Sequence, residues 1–180
     1  MCIENEILAV DIDNQPLFTL SKEEAHKKGI LHRAFSVILY NGRSILLQKR
    51  ASDKYHCGGL WTNTCCSHPY PKEDVGEAAK RRMQEEMGIA DVLVEIVDSI
   101  LYFYKFDNGL MEYEYDHILV GEYKGDVNVN PEEVEDTMWI DIDKLKEWLM
   151  KEPQIFTPWF IIMFPKVYDV LDRISKERQL

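Results

Sequence analysis

A short segment in the first half of the chain places two thiols and an imidazole within four residues, at Cys65, Cys66 and His68. Thiolates and imidazoles bind zinc, and a cysteine can also transfer a proton or act as a nucleophile. His56 and Cys57 are near enough in sequence to complete a Cys/His zinc site, yet cysteine is also among the most frequently buried residue types. The residues alone leave three interpretations open: a metal site, a reactive thiol, or inert core cysteines.

Charged side chains recur at every fourth position along a predicted helix that follows this segment. Four of them are expected on one helix face: Glu73, Glu77, Arg81 and Glu85. Glu86 follows Arg82 at the same interval. A solvent-exposed face with weak ion pairs explains such spacing in most helices, so the pattern by itself assigns no function.

Turn residues and apolar runs predict the elements that must position these side chains. Apolar runs indicate strands at residues 7–10, 35–40, 44–48, 92–97, 100–106, 113–123 and 137–140. The Asn-Gly pair at 41–42 and the Asp-Asn-Gly triplet at 107–109 indicate hairpins. Helical periodicity indicates helices at 72–87, 143–150 and 158 to about 176, with Gly88 as the C-cap of the first and Asp143 as the N-cap of the second. The pattern predicts an α+β layer fold in one domain, residues 1–180.

The composition limits the classes of partner. The chain has 180 residues, 46% of them hydrophobic and 29% charged, which fits one globular domain. Its 21 basic and 32 acidic residues give a net charge of −11, which argues against duplex DNA or an anionic membrane surface as a partner. The first ten residues lack the basic start of a secretory signal, and the apolar run at 159–164 is too short to span a membrane. We therefore expect a cytoplasmic protein whose four cysteines are reduced, and in which an anionic ligand needs a local pocket of cations.

The end of the charged helix resembles the Nudix box, G-x5-E-x7-R-E-U-x-E-E-x-G-U, in which U is aliphatic. The positions that match in register are Glu73, Arg81, Met83, Glu85, Glu86, Gly88 and Ile89. Two positions depart, because Ser67 stands for the opening glycine and Arg82 for the glutamate after the arginine. In Nudix hydrolases that glutamate helps to hold the divalent metals that activate water on a diphosphate. The resemblance, with Arg82 in that place, implies diphosphate binding without hydrolysis.

Further strings resemble the type I isopentenyl-diphosphate isomerases, a branch of the Nudix superfamily. They are L-H-R-A-F-S-V at 31–37, Q-K-R-A-S-D-K at 48–54, T-N-T-C-C-S-H-P at 62–69 and M-E-Y-E at 111–114. The resemblance runs from about residue 22 to residue 159 and implies a Nudix-type α/β/α sandwich with a mixed central sheet. It also implies interconversion of isopentenyl and dimethylallyl diphosphate for isoprenoid biosynthesis, by protonation and deprotonation of the alkene.

The resemblance assigns proton transfer to two groups on opposite sides of the substrate, the Cys66 thiol and the Glu114 carboxyl. Trp159 matches an aromatic residue over the carbocation, whose positive charge a π-face attracts. A tyrosine would hydrogen-bond the glutamate, and an ungapped count along the chain favours Tyr102 over Tyr104.

The ligands of ions and diphosphate also follow from the resemblance. The octahedral site for one Zn2+ or Mn2+ would take His26, His32, His68, Glu112 and Glu114. The diphosphate would bind Lys22, Arg50, Lys54 and Arg82. A Mg2+ ion on the diphosphate would lie near Glu86 and the carbonyl of Cys66, while His56 and His117 match no ligand of the family.

Two other functions stay open on the sequence. A Nudix hydrolase of a diphosphate-containing metabolite would keep the fold and change the reaction. A non-catalytic zinc-binding module would use the Cys/His cluster to hold a partner. For the isomerase we expect a small-molecule diphosphate substrate, no nucleic-acid or membrane partner, and a monomer or weak dimer.

Overall fold

The computed structural model describes residues 6–54 and 56–177, in which strands and helices alternate. The strands are β1 (Glu6–Val10), β2 (Pro16–Ser21), β3 (His32–Asn41), β4 (Ser44–Arg50), β5 (Trp61–Thr62), β6 (Cys65–Ser67), β7 (Glu95–Lys105), β8 (Met111–Glu122) and β9 (Val134–Asp141). The helices are α1 (Lys22–Lys28), α2 (Val75–Met87), α3 (Ile142–Lys151) and α4 (Pro158–Glu177), and a 3-10 turn covers Pro153–Ile155.

Strand β3 lies at the centre of one mixed sheet. Along one edge it runs parallel to β8, with His32 opposite Glu114 at the start of the pairing. Along its other edge it pairs antiparallel with β1, then β6, then β4. Strand β7 pairs with β8, β2 pairs with β1, and both β5 and β9 pair with β4. The parallel pairing brings the starts of β3 and β8 to the same end of the sheet.

Two apolar cores cover the two faces of the sheet. On one face, Val37 and Leu39 of β3 pack with α2 through residues such as Met83. On the other face, Ile38 packs with α3 and α4 through residues such as Phe160. Because successive side chains of a strand point to opposite faces, β3 contributes to both cores. Helices on both faces of a mixed sheet confirm the predicted α/β/α sandwich and the α+β class.

Helix α2 begins and ends at capping residues. Asp74 precedes the helix and accepts hydrogen bonds from the backbone amides of Gly76 and Glu77. Gly88 takes the left-handed conformation, with φ 67°, that ends the helix as predicted. The predicted start at residue 72 is wrong, because the chain reaches helical geometry only after the Asp74 cap. Glu73 therefore lies in the preceding loop and not on the helix face.

Two further boundaries differ from prediction for local reasons. The strands predicted at 92–97 and 100–106 are one strand, β7, in which Asp98 and Ser99 follow a β-bulge rather than forming a turn. Helix α3 is capped by Asp141 and not by Asp143, because the Asp141 carboxylate accepts from the amides of Asp143 and Lys144.

Four short elements were not predicted: β2, α1, β5 and β6. Strands β5 and β6 are two and three residues long, too short for a period-two pattern. Helix α1 has seven residues, yet its ends carry a signal. Ser21 accepts a hydrogen bond from the amide of Glu24, and Gly29 ends the helix in the left-handed conformation.

Turns and cysteines follow the expectations. The structure confirms both hairpins, with the β7–β8 turn at 107–109 as predicted; the β3–β4 turn lies at 42–43, one residue later than predicted, because Asn41 still pairs with Ser44. Cys57, Cys65 and Cys66 are free thiols, and Cys2 lies outside the described residues. Within the described chain, each helix is too short or too polar to cross a membrane.

Replacing Gly88 tests how firmly the end of α2 is packed. A Cβ atom on Gly88 would lie 2.4 Å from the carbonyl oxygen of Asn128, whereas nothing lies within 4 Å of the same position at Gly42. Both glycines have positive φ, so alanine adds backbone strain at either. In urea denaturation, we expect Gly88→Ala to lower the free energy of unfolding by about 2–5 kcal/mol and Gly42→Ala by about 1–2 kcal/mol. Equal losses would contradict the close packing at Gly88.

Candidate active site

Three histidines and two glutamates meet where β3 and β8 begin. His26 comes from α1, His32 from the start of β3, His68 from just after β6, and Glu112 and Glu114 from one face of β8. One ligand atom from each lies within 4.8 Å of those from the others. These are the five residues expected from the resemblance to form a metal site. Among the described residues no cysteine joins this group, so the alternative Cys/His zinc site does not form there.

The donor atoms of this His/Glu cluster face one another. Nε2 of His32 lies 3.2 Å from Nε2 of His68, which itself lies 2.9 Å from Oε1 of Glu114. Nε2 of His26 lies 3.1 Å from Oε2 of Glu112. Because His32 and Glu114 are opposite residues in the parallel β3–β8 pairing, the backbone register holds them side by side.

This donor set fits a divalent cation. The Nδ1–H of His32 donates to the carbonyl of Ile30 at 2.7 Å, which leaves its Nε2 directed into the cluster. The buried Oε2 atom of Glu112 has no hydrogen-bond partner among the described residues, although it faces His26. Imidazole nitrogens suit zinc, and carboxylate oxygens suit manganese. A cation at the centre would satisfy these facing lone pairs.

Burial and charge set the protonation of the His/Glu cluster. Burial lowers the pKa of His68 to about 3, so this imidazole stays neutral and keeps a lone pair. Burial alone would lower the pKa of His32, but its contacts with Glu114 raise it. Burial would raise the pKa of Glu112 and Glu114, but the neighbouring histidines hold both below the usual carboxyl range. Two buried carboxylates therefore attract positive charge, either as protons on histidine or as a metal ion.

A cavity of about 40 Å3 connects the His/Glu cluster to the groups expected to transfer protons. Its lining includes Cys66, Tyr102, Glu114 and Trp159. Cys66 pairs with Ser36 of β3, four residues along the strand from His32. The backbones of Cys66 and Glu114 are therefore offset by about 13 Å along the direction of β3. Their side chains reach the same cavity from different positions on the sheet.

The adjacent thiols of β6 point to opposite faces of the sheet. Cys65 is fully buried in the core with α2, whereas Cys66 lines the cavity. Burial raises the pKa of the Cys66 thiol well above its usual value, and the charge of Arg50 offsets this only in part. Cys66 therefore keeps its proton at neutral pH, unlike a thiolate nucleophile.

Tyr102 of β7 orients the Glu114 carboxylate. The two residues are paired in the β7–β8 register, and the tyrosine hydroxyl donates to Oε2 of Glu114 at 2.6 Å. The other oxygen, Oε1, faces His68 and His32, so each carboxylate oxygen has its own partners. The hydrogen bond to the glutamate thus belongs to Tyr102, while Tyr104 lines an outer apolar groove.

The indole of Trp159 forms another wall of the cavity. Only 4% of the residue is exposed, and its N–H donates to Oγ1 of Thr62 at 3.0 Å. The guanidinium carbon of Arg50 lies 5.4 Å from the ring centroid, and the His56 ring meets the indole at a steep angle with centroids 5.8 Å apart. The π-face therefore lies where positive charge can be attracted to it.

Next to the cavity lies a cleft of about 230 Å3 that is lined by several cationic side chains. The cleft and the cavity are both lined by Lys22, Arg50, Cys66, Ser67 and His68, so the two spaces adjoin. Lys54, Arg81 and Arg82 line the cleft. The four cations expected to bind a diphosphate thus surround one opening, and Arg81 joins them.

Acidic side chains in the cleft compensate these cations. Arg82 Nε donates to Oε1 of Glu86 at 3.1 Å, and Arg82 also lies 3.4 Å from Glu133, with which Lys54 forms an ion pair. Burial would lower the pKa of Arg82, but the charge of Glu86 raises it, so the guanidinium stays charged. Glu86 also accepts a hydrogen bond from Gln48 at 3.0 Å and is itself buried.

Sequence reasoning missed two buried side chains of the site. Nε2 of His56 lies 3.0 Å from Oε1 of Glu112; its place in the Cys/His cluster was a signal, but it matched no family ligand. Asp116 is the third acid on the same face of β8 and accepts a hydrogen bond from Ser36 at 2.9 Å. Burial raises the pKa of Asp116 well above its usual value. The alternation of acids from 112 to 116 was the available signal.

Arg81 clamps the loop after His68 onto helix α2. Its guanidinium donates two hydrogen bonds of 2.8 Å to the carboxylate of Glu73 and lies 4.0 Å from the ring centroid of Tyr70. The backbone amide of Tyr70 donates to the same carboxylate at 2.9 Å. The bidentate pair thereby fixes the segment that carries His68.

Comparison with known proteins gives this site a family context. The sequence profile of the NUDIX domain matches residues 30–160. The isopentenyl-diphosphate Delta-isomerase of Burkholderia multivorans is 44% identical, over 91% of this chain and 93% of its own length. The isopentenyl-diphosphate Delta-isomerase of Pectobacterium atrosepticum is 41% identical, over 96% of this chain and 97% of its own length.

Solved structures share the fold at low sequence identity. The crystal structure of a Deinococcus radiodurans protein has a TM-score of 0.75 and 11% identity, and the match covers 91% of this chain and 99% of that one. The Nudix hydrolase RenU from M. smegmatis has a TM-score of 0.58 and 15% identity, over 93% of this chain and 95% of its own. At these identities the likeness concerns the fold alone.

Removing the charge of Glu73 tests the clamp. Burial would raise the pKa of Glu73, but the hydrogen bonds from Arg81 and Tyr70 hold it below the usual value. A lowered pKa stabilises the folded state above the pKa of the unfolded carboxyl, and this stabilisation is lost as the pH falls through the folded pKa. We expect Glu73→Gln to lower the free energy of unfolding by about 1–2 kcal/mol at pH 7 and by much less below about pH 4, in urea titrations.

The matched control is Glu77→Gln, which removes an exposed carboxylate whose partner, Lys80, lies one helical turn away. We expect a change within about 0.5 kcal/mol, because exposed ion pairs contribute little. A loss for Glu73→Gln that did not depend on pH would contradict the charged clamp.

Proposed function

Since the chain belongs to the isopentenyl-diphosphate Delta-isomerases within the NUDIX domain family, we propose that it interconverts isopentenyl and dimethylallyl diphosphate in the cavity between Cys66 and Glu114. One observation carries the proposal. Both groups line the same small cavity, and that cavity adjoins a cleft lined by cations. The hydrocarbon end of the substrate would lie in the cavity and its diphosphate in the cleft.

The isomerisation needs a proton donor and a proton acceptor on opposite sides of the alkene. An alkene is a weak base, so protonation produces a tertiary carbocation, which a second group must quench by removing a proton. Burial keeps the proton on Cys66 by raising the pKa of the thiol, and the Glu114 carboxylate, held by Tyr102, would be the group on the other side of the alkene. One group donates to C4 of isopentenyl diphosphate, the other accepts from C2, and exchange with solvent restores the starting protonation.

The surroundings of the cavity favour this chemistry over the addition of water. A hydrocarbon chain that fills the cavity would displace water from it, and such water would otherwise trap the cation as an alcohol. The face of Trp159 would stabilise the positive charge, and Tyr102 would hold the Glu114 carboxylate in one orientation.

The cations of the cleft would anchor the diphosphate. Four cations surround one opening. Arg50 and Arg82 offer guanidinium groups that can bind a phosphate through two N–H donors, and Lys22 and Lys54 offer compact ammonium charges. Burial lowers the pKa of Lys22, and an anionic ligand beside it would favour its charged form. Such anchoring fixes the alkene at a set distance from the head group.

Two ions belong to the proposal. One zinc or manganese ion would be held by His26, His32, His68, Glu112 and Glu114, supported by their facing lone pairs and by the buried Oε2 of Glu112. When bound, it supplies positive charge that orders Glu114 and increases the acidity of its protonated form. A Mg2+ ion would accompany the diphosphate near Glu86 and the carbonyl of Cys66.

The alternative, a Nudix hydrolase, is supported by the fold only. The box position that is a glutamate in the hydrolases is Arg82, whose guanidinium pairs with Glu86 and Glu85. The positive charge of Arg82 therefore lies beside Glu85 and Glu86, at the position where a hydrolase has a further metal-binding carboxylate.

We also propose where the enzyme acts, what it binds and in which oligomeric state. Residues 1–180 would form one isomerase domain in the cytoplasm, acting in isoprenoid biosynthesis as a monomer or weak dimer. Its partner would be the small diphosphate substrate, without nucleic acid or membrane. The net charge of −11 and the local cations of the cleft support this combination.

Removing the thiol tests the proton-transfer assignment. We expect Cys66→Ala to lower kcat for formation of dimethylallyl diphosphate by about 10²–10⁴-fold, because one proton carrier is lost. Cys65→Ala is the matched control, since it removes the adjacent thiol from the opposite face of the sheet. It should keep kcat within about threefold, provided that both variants unfold cooperatively. Wild-type protein that releases phosphate or a monophosphate instead would contradict the isomerase.

Elemental analysis after dialysis tests the metal assignment. We expect wild type and Cys66→Ala to retain about one zinc or manganese ion per chain, and Glu112→Gln to lose most of it, because a ligand is removed. A metal lost with Cys66→Ala but kept in Glu112→Gln would favour a thiolate site and the zinc-binding module.

A further inference from the structure

A chain of buried polar side chains runs from Trp159 to the strand that carries Cys66. Thr62, Asn63 and Thr157 are each fully buried, with 0% exposure. The indole N–H of Trp159 donates to Oγ1 of Thr62 at 3.0 Å. Thr62 lies 2.9 Å from Oδ1 of Asn63 and 2.8 Å from Oγ1 of Thr157.

The donors and acceptors fix the direction of every bond in this chain. An indole nitrogen can only donate, so Thr62 accepts from Trp159. The amide of Asn63 donates to the carbonyls of Cys65 at 2.7 Å and Val37 at 3.2 Å, which leaves its Oδ1 to accept from Thr62. The single hydroxyl proton of Thr62 is thereby used, and Thr157 must donate to Thr62.

This chain connects the aromatic wall of the cavity to the peptide that positions the thiol. The carbonyl of Cys65 belongs to the peptide bond that leads into Cys66, so the amide of Asn63 holds the plane of that peptide. Trp159 lies in the first turn of α4, on a different element of the fold. Two side chains, Thr62 and Asn63, therefore set the indole and the thiol relative to each other.

We propose that Thr62 and Asn63 are positioning residues, which hold the face of Trp159 and the thiol of Cys66 at the separation and angle that the carbocation requires. The proposal rests on the proposed isomerase function. Thr62 also gives the indole N–H a partner inside the protein. Without it, that N–H would draw water towards the cavity, because a buried donor without an acceptor is costly.

Water near the cavity has a chemical consequence that can be measured. A carbocation that does not lose a proton to the acceptor group can combine with water instead. The carbon–oxygen bond forms, the oxonium loses a proton to solvent, and the product is the tertiary alcohol diphosphate. A loosened Trp159 should therefore change the ratio of products as well as the rate.

The test compares Thr62→Val, Thr62→Ser and Thr157→Val in the full-length protein loaded with metal. Thr62→Val keeps the shape and removes the acceptor; we expect kcat to fall by about 10–100-fold, with KM for the diphosphate unchanged and some tertiary alcohol formed. Thr62→Ser should return kcat to within about threefold of wild type. Thr157→Val removes a hydroxyl from the same site but leaves the bond from Trp159 to Thr62, and should keep kcat within about threefold.

Solution NMR follows the positioning itself. The indole N–H signal of Trp159, assigned by its loss in Trp159→Phe, should exchange slowly with solvent in wild type and Thr62→Ser and much faster in Thr62→Val. A merely structural role predicts equal losses of stability and activity in Thr62→Val and Thr157→Val, with no alcohol and no rescue by serine.

The outcomes separate this proposal from the proposed function. If wild type forms no dimethylallyl diphosphate, the isomerase function fails and the positioning role fails with it. If wild type is active and Thr62→Val keeps kcat within about threefold, only the positioning role is overturned. A fall in kcat with a matching rise in KM would also overturn it, since diphosphate binding would then be affected.

Discussion

Two carboxylates buried side by side, Glu112 and Glu114, impose the constraint on which the rest of the site depends. A buried anion is costly unless cations or hydrogen-bond donors surround it, and two anions on one strand face double that requirement. The fold meets it with histidines from four segments: His32 from the neighbouring strand, His68 from the segment after β6, His26 from α1 and His56 from the loop between β4 and β5. Helix α1, although only seven residues long, is therefore essential to the charge balance at the start of β8.

The net charge of −11 is compatible with an anionic ligand, because such a ligand meets the side chains of its own site and not the average charge of the protein. In the cleft, Lys54 and Arg82 pair with Glu133 and Glu86, so the cations are already partly compensated. A diphosphate accompanied by a divalent cation carries much less net charge than the free anion, and can enter such a balanced site without leaving the acids exposed to one another. The overall charge argues against binding of extended polyanions, whereas the local charges of the cleft determine whether a small anion can bind.

Long periodic elements and the Gly88 end of α2 could be predicted from the sequence, and the contacts between distant segments could not. Helix α2 and strand β8 carry repeated patterns, and Gly88 marks a helix end by its own chemistry. Tyr102 and Tyr104 share strand parity, so only the β7–β8 register identifies the partner of Glu114. Trp159 and Thr62 are 97 residues apart, and no local pattern links an indole to a hydroxyl over that distance. His56 lies in a loop, where tertiary packing alone decides the direction of the side chain.

The departure of Arg82 from the Nudix box has a physical explanation in the two halves of the site. The diphosphate end must be polar and charged, whereas the alkene end must be dry, because water is a substrate of the hydrolases and destroys a carbocation. A glutamate at this position would add a metal-binding oxygen beside Glu86, and bound divalent ions usually carry water with them. A guanidinium supplies positive charge through N–H donors and brings no coordinated water. In the proposed isomerase, Arg82 would therefore strengthen the diphosphate site without bringing coordinated water close to the cavity, which adjoins the cleft at Cys66.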